Sequence, residues 1–137
     1  MTALAKDRNT VRKEGEYAAY PVKADAKIYG GGMVCVGADG YAIPASDTAG
    51  LKFVGISRSA VDATGAASGG LIVEVWREGN FELTAGQNMV AEIGTLVCVV
   101  DDETVDLADV TTHDVAVGII AEVNSATSVY IDIERRA

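Results

Sequence analysis

Ser128-Val129-Tyr130-Ile131-Asp132-Ile133 alternates polar and apolar residues without a break. Val129, Ile131 and Ile133 fall on one face and Ser128, Tyr130 and Asp132 on the other, the period of a strand with one buried side. The same reading extends outward along the chain. Residues 71–76 set Leu71, Val73 and Val75 against Ile72, Glu74 and Trp76, and residues 115–123 line up Val115, Val117, Ile119, Ala121 and Val123. Shorter apolar runs at 33–36, 53–57 and 96–100 read as central strands, buried on both faces. Turn signals separate the runs: Asp39-Gly40 before Ile43, Asp101-Asp102 before Val105, and Gly79-Asn80 between Trp76 and Phe81. Helix signals are few; residues 84–93 have room for one short helical turn, stopped by Gly94. The pattern predicts an all-β chain, a small barrel or sandwich.

The strands repeat. A shift of 63 positions lays Gly31-Gly32-Met33-Val34-Cys35-Val36 on Gly94-Thr95-Leu96-Val97-Cys98-Val99, and Val54-Gly55-Ile56 on Val117-Gly118-Ile119. Asp39 then meets Asp102, and Ala63-Thr64 meets Ala126-Thr127. A third strand follows in each half, at 71–75 and 129–133. The expectation is two similar three-strand units related by a pseudo-twofold, each covering the apolar face that the other exposes. Residues 1–21 lack either period and end at Pro21. They read as an extended N-terminal arm, with residues 22–137 as the body.

The chain has 137 residues, 20 acidic and 11 basic, for a formal charge of −9. The arm holds Lys6, Arg8, Arg12 and Lys13 against Asp7, Glu14 and Glu16, whereas from Glu78 to Glu134 there are twelve acidic side chains and no Lys or Arg. Nucleic-acid affinity rests on basic side chains that release counterions, so the charge argues against DNA or RNA as partner of the body. No uncharged stretch approaches the ~18 apolar residues of a membrane helix. The opening residues show no apolar signal core, so synthesis in the cytosol and no membrane partner are expected.

Candidate chemistry is thin. Cys35 and Cys98 hold matching strand positions among valines. They read as buried, inert thiols, with a disulfide between the halves as the alternative. His113, the only histidine, lies in a polar loop beside Asp114, a pair that makes a triad only if partners meet in space. Asp101, Asp102, Glu103, Asp106 and Asp109 lack the order and glycine of a calcium loop and read as a solvated turn. Gly30-Gly31-Gly32 is followed by neither GK[ST] nor a helix, so it reads as a bend rather than a phosphate cradle. Ser57, Ser59 and Ser68 stand outside any nucleophile elbow. The reading is a binding or structural protein with no catalytic, metal or cofactor site. Trp76 and Tyr130, on strand faces opposite the presumed core, are the candidates for a subunit interface. The same two aromatics would serve the alternative, a carbohydrate-binding or baseplate β-module. A small enzyme with sites shared between subunits is a third class, which no motif supports.

The order of the segments is itself informative. A polar arm precedes GGGMVCVGADGYAIPA, then LKFVGISRSAVDATGAASGGLIVEVWREGNFEL, then IGTLVCVVDDETV, and last VAVGIIAEVNSATSVYIDI. Over residues 22–133 this resembles the capsid-cement, or head-decoration, proteins of tailed phages and prophages. The resemblance lies in strands and turns. It implies a virion protein, made in the bacterial cytoplasm, that binds the outer surface of an assembled shell of major capsid protein. It also implies a homo-oligomer, with a trimer favoured and a dimer as the alternative. Under it the arm residues Lys6, Arg8, Arg12 and Lys13 become the capsid-binding group.

Overall fold

The computed structural model describes residues 3–10 and 15–134. It is all β, with one short 3-10 turn. β1 (Tyr17–Pro21), β3 (Met33–Val36), β4 (Ala42–Pro44), β5 (Lys52–Ser57) and β7 (Ile72–Trp76) form one sheet in the order β1-β7-β5-β3-β4. β8 (Asn80–Ala85), β9 (Leu96–Val99), β10 (Thr104–Leu107), β11 (Ala116–Ser125) and β12 (Ser128–Asp132) close into a barrel in the order β10-β8-β12-β11-β9. A two-stranded ribbon, β2 (Lys27–Ile28) with β6 (Val61–Asp62), accompanies the first sheet.

The two sheets are the same object twice. Met33 pairs with Ile56, Val34 with Gly55 and Cys35 with Phe53; 63 residues on, Leu96 pairs with Ile119, Val97 with Gly118 and Cys98 with Ala116. Both ladders slip at the same place, a β-bulge beside the glycine. Val34–Pro44 and Val36–Ala42 become Val97–Leu107 and Val99–Val105. Tyr17–Trp76 becomes Asn80–Asp132, with β12 offset from β7 by 56 because residues 65–71, in the loop after β6, have no counterpart in the second unit, where the positions of β6 fall at the end of β11. Even the closure is shared. Ala85 pairs in parallel with Val105 in the barrel, and Val22 bridges Ala42 in parallel in the first sheet. The first unit is thus a five-stranded barrel joined at its seam by a single bridge. Parallel closure is the weaker link of each unit, since the antiparallel ladders are longer and better aligned.

Each repeat therefore has five strands, not three, and the body begins at Tyr17 rather than Val22. Residues 17–21, read as arm, pair along β7 throughout. Their one-letter string YAAYP gives no strand pattern of its own, and it is the open flank of β7 that makes them a strand. Gly79-Asn80 is not a hairpin turn; it carries the chain out of the first unit (β7) into the second (β8). Asp39-Gly40 and Asp101-Asp102 are hairpin turns, with Gly40 at φ 81° and the Asp101 carboxylate accepting the Glu103 and Thr104 N–H groups. The helical turn is confined to Val90–Glu92, and Gly94 beyond it has φ 89°.

Burial follows the repeat. Val22, Val34, Ala42, Val73 and Val75 pack together inside the first unit. Their counterparts Ala85, Val97, Val105, Val129 and Ile131 pack inside the second. That second cluster continues through Met33, Cys35, Phe53 and Ile56, which the first unit presents to the second. β3 is consequently buried on both faces, as its unbroken apolar run requires. β5 and β11 approach each other across the junction. A surface depression there is lined by Leu51, Lys52 and Phe53 on one side and Asp114, Val115 and Ala116 on the other. Those triplets are equivalent at the 63-residue shift, so the pseudo-twofold runs between them. In β11 the bulges at 116/118 and 120/122 change which residues face in. Val117 and Ile120 are buried, while Ile119, Ala121 and Val123 are only half-buried, so the single apolar face read over 115–123 is broken.

Why Val-Gly-Ile recurs is now clear. A Cβ on Gly55 would overlap the Trp76 carbonyl oxygen, and one on Gly118 would overlap the Asp132 carbonyl oxygen. β7 and β12 cross so close to the bulge that no larger residue has room.

Candidate binding surface

The leader and the first unit's outer face meet at β1. Residues 3–10 are exposed throughout; Leu4 is 73% exposed. Lys6 and Arg8 form no ion pair with any described residue. Arg12 and Lys13 lie outside the described residues. β1 pairs along its length with β7, and its other side is the seam of the first unit, joined to β4 at the Val22–Ala42 bridge.

On the outward face of β1 and β7 the register sets Tyr17 beside Trp76, Ala19 beside Glu74 and Pro21 beside Ile72. Tyr17 meets the Trp76 ring edge-on at 6.0 Å. Arg58, just past β5, lays its guanidinium over both rings, 4.4 Å from the Tyr17 centroid and 4.6 Å from that of Trp76. Its Nη1 also donates to Glu74 Oε2 at 3.2 Å. The cation thus sits against two aromatic rings that stand nearly perpendicular, with one carboxylate beside it, an arrangement that favours Arg over Lys. Sequence reasoning singled out Trp76 but missed Tyr17 and Arg58. Only the Ile56–Trp76 and Ser57–Val75 register brings Arg58 diagonally onto Trp76.

Tyr130 lies on the other unit. It pairs with Glu82 on β8 and Glu122 on β11. Its hydrogen bond to the Glu82 carboxylate, and that group's charge, push the phenol above its ordinary value. Trp76 and Tyr130 are not brought together: Trp76 lies beside the Arg58–Glu74 ion pair, Tyr130 between two carboxylates.

The remaining candidates are structural. Both cysteines are buried and free. Burial pushes the Cys35 thiol up to about 12, against a smaller opposing effect from a hydrogen bond with the Ser46 backbone. Burial also raises Cys98, partly offset by a hydrogen bond with Thr111. His113 is exposed, and its backbone N–H, with that of Thr112, donates to the Asp47 carboxylate at 2.8 Å each. Those two bonds hold Asp47 below the usual carboxylate range and tie the loop after β4 to the loop after β10. Asp106, the one buried acid among the described residues, accepts from Gln87 Nε2 and from the Leu107 N–H. Gly31 sits at φ 82° in a bend whose neighbours bond to Ser57 and Asp102. The Ser57 hydroxyl donates to the Ser59 carbonyl, and the Ser68 hydroxyl accepts from the Ala24 N–H. Among the described residues no three His, Cys, Asp or Glu side chains converge as a metal site would need.

No protein-family model matches this chain, and no curated protein matches it either.

Proposed function

We propose that this chain is a structural protein of a phage particle. In this reading it binds the outside of an assembled shell and holds adjoining copies of the major capsid protein together. The observation that carries the reading is the leader: residues 3–10 are exposed, and their Lys6 and Arg8 make no ion pair with any described residue. An exposed segment of this kind can add a strand to a neighbouring sheet. Lys6, Arg8, Arg12 and Lys13 supply cations for carboxylates on the shell, and an arginine can engage one through two parallel bonds. A protein that touches several subunits gains by effective concentration, so each contact can be modest. The rigid double barrel supplies a fixed body behind the leader, and no bond-making chemistry is asked of it.

The test is deletion of residues 1–16, followed by titration onto shells that lack the protein. The truncated chain should fold, since the strands and core begin at Tyr17, and its binding should fall by at least tenfold. Binding at full affinity would refute the leader's role.

A further inference from the structure

The duplication supplies an internal control for the molecule's surface. Apart from the β2–β6 ribbon, the ladders of the first unit recur in the second, so a surface difference between the equivalent strands reflects side chains rather than backbone. Residues 17–79 carry five basic and six acidic side chains, whereas residues 80–134 carry none and eleven. The first unit is nearly neutral and the second strongly acidic.

The contrast is sharpest on one face. On β1 and β7 the outward cross-strand pairs are Tyr17–Trp76, Ala19–Glu74 and Pro21–Ile72. The equivalent pairs on β8 and β12 are Asn80–Asp132, Glu82–Tyr130 and Thr84–Ser128. Arg58, which caps the first face, is replaced at the same position by Ala121, with Glu122 beside it. Ile72 is 63% exposed and Tyr17 42%. A single exposed apolar residue on a sheet needs no explanation. Here a tyrosine, a tryptophan, an isoleucine and an arginine gather on a face whose twin in the same chain is polar. Tyr, Trp and Arg are the residues that anchor protein interfaces.

We propose that copies of this chain associate head to tail, with the β1–β7 face of one copy seated on the β8–β12 face of the next. The occupant is chosen by charge complementarity. The β1–β7 face offers the Arg58 guanidinium, which spends one Nη1 bond on Glu74, amid apolar surface, and the β8–β12 face offers Glu82, Glu122 and Asp132 around the half-buried Tyr130 ring. The two sites are distinct patches, so the contact is heterologous, and it closes into a ring when the rotation between copies allows. The inference stands on the repeat and its charges, independently of the shell reading, and sedimentation, which decides it, uses no shells.

Sedimentation of the full chain in low salt reads it directly. The expected result is a discrete species larger than the 14.2 kDa monomer, shifting toward monomer as salt rises. Arg58→Glu alone, and Glu82→Lys with Glu122→Lys, should each weaken association at least tenfold. Mixing the two variants should restore it, because each then offers the other a complementary face. That rescue also shows that both variants are folded. A wild-type chain that stays monomeric overturns the proposal. So does a Glu82→Lys, Glu122→Lys variant that assembles like the wild type while Arg58→Glu does not, which would mean that two β1–β7 faces pair with each other. Loss of shell binding in Arg58→Glu, from a wild type monomeric in solution, would assign the face to the shell instead.

Discussion

Gly55→Ala and Gly118→Ala test the duplicated barrel at its tightest point. In each unit the added methyl would overlap a backbone carbonyl, that of Trp76 or that of Asp132. A flexible side chain could swing away, but a carbonyl inside a ladder moves only with its strand. Overpacking a core usually costs ~1–3 kcal/mol, and a backbone obstacle places these sites at about 3 kcal/mol or above. For a chain of this size that lowers Tm by about 10 °C. Gly30→Ala is the control: its Cβ would meet nothing closer than 3.5 Å, and its Tm should stay near that of the wild type. Thermal unfolding followed by circular dichroism reads all three variants. If both glycine variants melt with the control, the close crossing of β7 and β12 over the bulges is wrong. If only one falls, the equivalence of the units fails at that point.

Three further outcomes follow from the surface and core. Ellman's reagent at pH 8 should leave Cys35 and Cys98 untouched in the native chain and titrate both in denaturant; rapid native reaction would contradict their burial. Asp47→Ala should lower Tm at pH 7, because the loops after β4 and β10 lose their shared anchor. The Asp47 carboxylate is held below its unfolded value near 3.8. Its stabilisation is therefore complete above that value and lost as pH falls through the lower folded value. The Tm gap between wild type and variant should close over that acid range, and a gap that widens there would refute the assignment. Arg8→Ala with Arg12→Ala should weaken binding to undecorated shells and flatten its salt dependence; unchanged salt dependence would remove ion pairing from the leader's role.

The strands whose side chains repeat were legible in the sequence, and those whose pairing alone repeats were not. β3 and β9 share a valine- and cysteine-bearing run, and β5 and β11 share Val-Gly-Ile, because both pairs surround the bulge where packing permits few residues. β1 and β8 hold equivalent places, yet YAAYP and NFELTA have no common pattern. A flanking strand is fixed by the backbone groups its neighbour leaves open, which a one-dimensional pattern does not record. The bulges in β11 defeated the alternation rule, since each extra residue turns the following side chains to the other face. Trp76 stood out as an aromatic on an outward face, whereas Arg58 and Tyr17 became its partners only through the β5–β7 and β1–β7 registers. Asp47 gave no sequence signal, because its two N–H donors lie 65 and 66 residues away.

The central claim concerns where the chain resides, and protein stoichiometry on purified phage heads addresses it most directly. Quantitative mass spectrometry of washed particles should find this chain at a fixed, simple ratio to the major capsid protein. Brief protease treatment of intact heads should remove or nick it before the shell is cut. Heads free of the chain, or carrying it only in traces that vary between preparations, would contradict the account.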